Sequence, residues 1–222
     1  MCGRFSLATD QEILQEEFNF RLDDEMYERY NIAPSQNILV VGSNRKERIG
    51  VYMKWGLIPP WAKDAKIGYK MINARAETID EKSSFKKPFL SQRCLILSDG
   101  FFEWKKDGTK KEPIRFVMKN RKPFAMAGLW EKWNDGGKPL FSCTIITTTA
   151  NEITEDVHDR MPVILPKQCQ DLWLDRDYHD IHSLKSFLVP YHSNAMERFT
   201  VSSSVNSPKN DTAECLEPLN SL

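Results

Sequence analysis

The chain has no C-x-x-C pair. Its five cysteines (Cys2, Cys94, Cys143, Cys169, Cys215) are far apart and odd in number, so neither a disulfide framework nor a zinc knuckle is indicated. No apolar run approaches the roughly 18 residues of a membrane-crossing helix. The N-terminus lacks the apolar core of a signal peptide, so a cytosolic (cytoplasmic) protein is expected. Glycine is sparse, at ten residues, and forms no glycine-rich phosphate loop. Net charge is absent too, with 31 Lys and Arg against 31 Asp and Glu. That balance argues against a protein that coats nucleic acid through bulk charge, but it permits a local basic groove. His179-x-x-His182 lies in an acidic region with no third ligand nearby, so no metal site is expected. There is no internal repeat, low-complexity segment or linker.

What is present is a chain of 222 residues, 41% hydrophobic and 28% charged. That composition suits a globular protein with a sizeable core. A single domain over 1–222 is expected, with a polar, loosely held tail after about 207. The charge is unevenly spread. Lys54 to Arg93 holds nine Lys and Arg against four Asp and Glu, whereas Thr149 to His182 holds three against eight. The first stretch suits a polyanion and the second does not; two ordinary solvated faces are the alternative.

Hydrophobic periodicity sketches the architecture. Thr9-x-x-Glu12 reads as a capping box before a helix from about Asp10 to Phe18. Strands are expected at Asn37 to Val41 and Gly50 to Trp55, the latter followed by a proline-containing basic loop. Arg93 to Trp104 reads as one strand with a Gly in its middle. Asp107-Gly108 turns the chain into Pro113 to Met118. Further strands are expected at Phe124 to Trp133, Pro139 to Thr148, Met161 to Leu165 and Arg198 to Val205. Asn151 to Asp156 reads as a short acidic helix, and helices follow near Lys167 to Leu174 and Ile181 to Leu188. Sequential hairpins outnumber strand–helix–strand repeats. The expected fold class is therefore α+β, with a mostly antiparallel, curved or barrel-like sheet and peripheral helices.

The second residue carries the most distinctive chemistry. Methionine aminopeptidase removes an initiator Met that precedes a small residue such as Cys2. The product would carry an α-amine and a thiol on adjacent carbons. Such a 1,2-aminothiol condenses with an aldehyde to a Schiff base, and the thiol then closes a thiazolidine ring. Intramolecular closure of this kind reaches effective molarities of about 10⁵–10⁸ M. An α-amine titrates near 7.7–8.0, so a useful fraction is neutral around pH 7. Three other polar motifs stand out against apolar surroundings: Asn73-Ala74-Arg75-Ala76-Glu77, Asp99-Gly100-Phe101-Phe102-Glu103-Trp104 and His158-Asp159-Arg160-Met161-Pro162. Each has a plain alternative. Cys2 is an accident of the start codon, Asn73 a turn or cap residue, Glu103 an exposed strand residue, and His158 a helix C-cap donor.

Taken together with Tyr30-Asn31-Ile32-Ala33-Pro34, Trp55-Gly56-Leu57-Ile58-Pro59, Arg93-Cys94-Leu95 and Ala127-Gly128-Leu129-Trp130, these segments resemble the SRAP family of SOS response-associated proteins over almost the whole chain. The resemblance implies single-stranded DNA as partner, and covalent capture of abasic sites through the N-terminal Cys. It implies Cys2 as nucleophile, with Asn73, Glu103 and His158 as supporting catalytic residues. It implies Arg4, Pro34, Trp61, Arg75 and Thr147 along the DNA. The last strand departs from the pattern, since Val201-Ser202-Ser203-Ser204-Val205 has no basic residue.

The chemistry is self-consistent. A ring-opened abasic site offers a C1′ aldehyde to the Cys2 amine. Glu103, between Phe102 and Trp104, suits a desolvated carboxyl that exchanges protons near neutrality. Asn73 suits holding the amine or the aldehyde oxygen. His158 suits proton transfer during sugar ring-opening, and an accompanying β-elimination (lyase) reaction. Arg4 and Arg75 suit phosphates, and Trp61 suits base stacking worth about 1–3 kcal/mol. No cofactor or metal is needed, and a monomer is expected. Three alternatives stay open: a cysteine-type peptidase acting on Met1 or on peptides, an N-terminal-nucleophile amidotransferase or hydrolase, and a non-enzymatic DNA-binding module.

Overall fold

The computed structural model describes residues 2–219. Twelve strands among these residues form two sheets, accompanied by four α-helices. β3 (Asn37–Ser43), β4 (Arg48–Trp55), β6 (Arg93–Ser98), β9 (Phe124–Trp133) and β10 (Leu140–Thr149) close into a ring. All its pairings are antiparallel except β4 with β10. Closure removes the edges on which sheets aggregate. Two short strands extend β10 beyond the ring. β5 (Asn73–Arg75) continues the β4 side, and β11 (Arg160–Pro162) continues the β9 side.

β6 is buried at every position, as a strand covered on both faces must be. Helices α2 (Ser83–Ser91) and α3 (Lys167–Leu174) pack against it. Arg93 fastens them. It is 2% exposed, and it donates to Phe89 O and Leu90 O at the end of α2, and to Trp173 O, Asp175 O and Tyr178 O at and beyond the end of α3. The last carbonyls of a helix lack intrahelical partners and carry partial negative charge. Arg93 satisfies them, and burial pulls its pKa down to about 10. This corrects the reading of the basic stretch, whose last cation faces the interior.

The second sheet runs β12 (Met196–Thr200), β8 (Lys110–Met118), β7 (Gly100–Asp107), β1 (Phe5–Leu7) and β2 (Arg29–Ile32). The single strand expected from Arg93 to Trp104 is two strands, β6 and β7, in different sheets. Asp99 makes the break. Its carboxylate accepts from Ala8 N at 2.5 Å, Thr9 N at 3.0 Å, Ser6 Oγ at 2.6 Å and Arg115 Nη2 at 3.1 Å. Gly100 is required beside it, because a Cβ there would lie 2.8 Å from Arg115 Nε.

Four other expectations are corrected. Helix α1 (Gln11–Phe18) is capped by Asp10, whose Oδ1 accepts from Glu12 N at 2.8 Å. Thr9 serves Asp99 instead of opening a capping box. Residues 152–157 form successive turns rather than a helix. There the Thr154 hydroxyl bonds Asn151 locally and competes with helical pairing. The last strand ends at Thr200, and a 3-10 turn follows at Ser203–Asn206. The described part of the tail, up to residue 219, is tied down. Asp211 accepts from Tyr30 N, Asn31 N and Arg29 Nε at 2.6, 2.8 and 2.5 Å. Asn31, fully buried, donates to Val205 O, Ser207 O and Asn210 O. Helix α4 (Ile181–Ser186) caps on Asp180. No helix among the described residues is long and apolar enough to cross a membrane.

Candidate active site

β1 accompanies β7 only at Phe5↔Phe101 and Ser6↔Gly100, with a last bond from Phe102 N to Arg4 O at 2.9 Å. Beyond that point β7 has no strand partner on the β1 side among the described residues, and a cleft of about 470 Å³ opens along its edge. An unpaired edge explains why successive residues of β7, Glu103 and Trp104, both line the cleft although strand neighbours point to opposite faces. Arg4, Lys106, Lys111, His158 and Asn206 complete the lining.

Cys2 lies just ahead of β1, and is fully buried. Burial first, and then the charge of Glu103, push its thiol well above the ordinary range. The thiol is therefore protonated at rest. Asn73, at the start of β5, donates from Nδ2 to Cys2 O at 3.1 Å, and its Oδ1 is buried without a partner among the described residues. β5 is placed by its parallel register with Ile145–Thr147 of β10. Met1, whose removal the capture chemistry requires, lies outside the described residues.

Glu103 is 4% exposed. Burial raises its pKa from the ordinary 4.5 to about 7, and the charge of Asp159 adds to the rise. The carboxyl thus exchanges its proton near neutrality. His158 enters from the β10–β11 connection, with its backbone N–H on Thr154 O at 2.9 Å. Its Nδ1 lies 3.0 Å from Arg160 N and 2.9 Å from Asp159 Oδ1. These two contacts need opposite protonation of Nδ1. Burial lowers the His158 pKa below 6.5, which favours the neutral ring with Nδ1 accepting from Arg160 N and the proton on Nε2.

Arg4 is anchored rather than free. Its Nη1 donates to Asn31 Oδ1 at 2.8 Å and Val205 O at 2.5 Å, and its guanidinium sits over the Trp104 ring at 5.4 Å. Trp104 Nε1 donates to Asn206 Oδ1 at 2.6 Å. The C-terminal segment is therefore one wall of the cleft.

The other sequence candidates lie elsewhere. Arg75 is exposed on β5, in register with Thr147. Thr147 is 1% exposed, and its carbonyl accepts from Arg160 Nη2 at 2.6 Å while Arg160 grips Glu77 with two bonds. Pro34 is half-buried before Ser35, whose φ of 74° turns the chain. Trp61 is 57% exposed, on a loop held at its base by Leu57 N to Met71 O and by Trp133 Nε1 to Ala62 O. Gly56 permits that loop to close, since its φ is +127° and a Cβ would lie 2.6 Å from Gly68 O.

Sequence reading missed Lys106, Lys111, Asn206 and Asn31. The two lysines were discernible, because they flank the Asp107-Gly108 turn and a hairpin pairs them. Asn206 and Asn31 were not, since Asn206 meets Trp104 across 102 positions of chain and Asn31 meets Val205 across 174.

Comparison with known proteins places the chain in a family and among relatives. The model of a family described as SOS response associated peptidase (SRAP) matches residues 1–208. A Bacillus subtilis (strain 168) protein named abasic site processing protein YoqW is 52% identical over 223 residues, covering 98% of this chain and 99% of that protein. The chicken (Gallus gallus) abasic site processing protein HMCES is 35% identical over 202 residues, covering 80% of this chain and 60% of that protein. A crystal structure of a protein from Bacteroides thetaiotaomicron superposes with a TM-score of 0.89 at 26% identity, covering 98% and 100% of the two chains.

Proposed function

The chain belongs to the SOS response associated peptidase (SRAP) family, and from that premise we propose that it processes abasic sites in single-stranded DNA by covalent capture through Cys2. The observation that carries the reading is the buried Cys2 thiol beside a carboxyl that titrates near 7, at the edge of an open cleft. The reaction requires Cys2 to be the first residue. Its neutral α-amine attacks C1′ of the ring-opened sugar and gives a carbinolamine. Protonated Glu103 delivers a proton to the departing hydroxyl, water leaves, and a Schiff base remains. Glu103, now a carboxylate, takes the thiol proton as sulfur bonds to C1′ and the C=N electrons return to nitrogen. The product is a thiazolidine, and one water is lost overall. Asn73 holds the Cys2 carbonyl, and its unpartnered Oδ1 suits the amine. His158, neutral near pH 7, transfers protons as the sugar opens. The same base can remove a C2′ proton from the Schiff base and expel the 3′ phosphate, which is the lyase reaction. Arg75 and Trp61 are the exposed residues suited to phosphate and base contacts, Arg4 lines the cleft, and Pro34 and Thr147 complete the candidates along the DNA.

The protonated thiol favours this order of events over a cysteine peptidase. A peptidase attacks with thiolate, which burial suppresses, whereas here the amine attacks first. The test is intact mass and denaturing gel electrophoresis after incubation with an abasic oligonucleotide. The expected product has the mass of the two partners less one water. Cys2→Ala should form no stable adduct. A normal adduct yield from Cys2→Ala, or from a chain with a residue fixed ahead of Cys2, would overturn the reading.

A further inference from the structure

Lys106 and Lys111 stand directly opposite each other on the β7–β8 hairpin. On an antiparallel pair such side chains have Cβ atoms about 4.5–5.5 Å apart, and like charges there destabilise the hairpin. Among the described residues neither ammonium has a carboxylate partner. Lys105, next to them, does have one, in Asp156 at 2.8 Å. Both unpartnered lysines line the cleft that contains Arg4 and Glu103. Among its described lining residues the cleft holds three cations and one carboxyl, Glu103, which burial keeps partly protonated near neutrality. A repulsive pair turned into a cleft that already lacks negative charge calls for an anion between the two ammonium groups.

We propose that Lys106 and Lys111 form a subsite for one backbone phosphate of the DNA strand, flanking the abasic sugar held at Cys2. The inference rests on the capture reading for the identity of the strand. It adds a contact that lies outside the Lys54 to Arg93 stretch and apart from Arg75, which does not line this cleft. A phosphate there neutralises the cross-strand repulsion and fixes the register of the strand along the edge of β7. A bare hairpin of solvated lysines would do neither.

The test uses Lys106→Gln/Lys111→Gln and the arginine pair Lys106→Arg/Lys111→Arg. Single-turnover adduct formation is measured at subsaturating protein, at 50 and 200 mM salt. Loss of one single-strand phosphate contact lowers the log–log salt slope by about 0.7, so wild type should slow roughly 2.6-fold more than the glutamine variant over this range. The arginine variant should keep the wild-type slope. Oligonucleotides carrying one neutral methylphosphonate at successive positions supply the second arm. One position should slow wild type and leave the glutamine variant indifferent, and it identifies the phosphate. The glutamine variant should melt no lower than wild type, because a repulsion has been removed. Equal slopes in wild type and glutamine variant, or methylphosphonate effects that add at every position, would overturn the proposal. Should no adduct form at all, the capture reading falls. Equilibrium binding of the same oligonucleotides on the same two arms then decides the lysines separately.

Discussion

Glu103→Gln separates the energetic consequences of the buried carboxyl from its shape. The raised pKa makes the folded protein bind a proton more tightly at Glu103 than the unfolded chain does. Stability from this group is therefore fully present below about 4.5 and is lost as pH rises through about 7. At 1.36 kcal/mol per pH unit of displacement, the loss between pH 5 and pH 8 is on the order of 2–3 kcal/mol. Other shifted carboxylates do not confuse the window. Glu77 and Asp80 are lowered by Arg160 and Lys185, so their stabilisation is lost only as pH falls below the ordinary carboxylate range. His158 titrates with the opposite sign within the window, but it is common to both proteins, so the difference between them isolates Glu103. Urea unfolding of wild type and Glu103→Gln at pH 5, 6, 7 and 8 gives the two curves. The variant should gain on wild type as pH rises, and be the more stable protein at pH 8. It should also form adduct at least about 10²-fold more slowly, since amide cannot exchange the proton. Parallel stability curves would show that Glu103 is charged and solvated in the fold, and the acid–base role would fall with them.

Two further outcomes follow from the same geometry. His158→Ala should slow the reaction with abasic DNA and lower strand nicking, and the wild-type rate between pH 5.5 and 8 should show an inflection below 6.5, the direction in which burial moves the ring, beside that of Glu103 near 7; a gel of end-labelled DNA reads both, and an unimpaired variant with the wild-type pH profile would remove His158 from the mechanism. Asn31→Ala should cost on the order of 1–3 kcal/mol in denaturant unfolding, because the carbonyls of Val205, Ser207 and Asn210 and one Arg4 N–H each lose a hydrogen bond to a fully buried side chain; a cost near zero would mean that water replaces the side chain.

The closed ring of strands was legible because its strands are long, apolar and joined by recognisable turns. Phe124–Trp133 of the ring was read to the residue, and in the second sheet the Asp107-Gly108 turn placed β7 against β8. The break at Asp99 was not legible. Apolar alternation runs on through Gly100, and only the convergence of Ser6, Ala8, Thr9 and Arg115 on one carboxylate sends the chain into the other sheet. Motif order suggested that Cys2, Asn73, Glu103 and His158 act together, but local pattern could not place them in space. β1, β5, β7 and the β10–β11 connection meet only through long-range pairing.

The tail shows most plainly why polarity misleads. Residues after Ser207 are polar, and polarity read locally means solvent. Here the polar groups are spent on satisfying backbone. β2 is an edge strand whose outer N–H groups need acceptors. Asp211 accepts two of them, while Asn31 takes three carbonyls from the returning segment. Arg4 then bridges Asn31 and Val205 and stacks on Trp104, and Asn206 fixes the Trp104 indole. On the proposed reading, a guanidinium that lines the cleft must otherwise lose side-chain freedom when the strand arrives. Anchoring it to the C-terminal segment places that cost in folding rather than in binding. The polar tail therefore belongs to the reactive cleft, and a protein ending before Asn206 should keep its ring of strands while losing the order of Arg4 and Trp104.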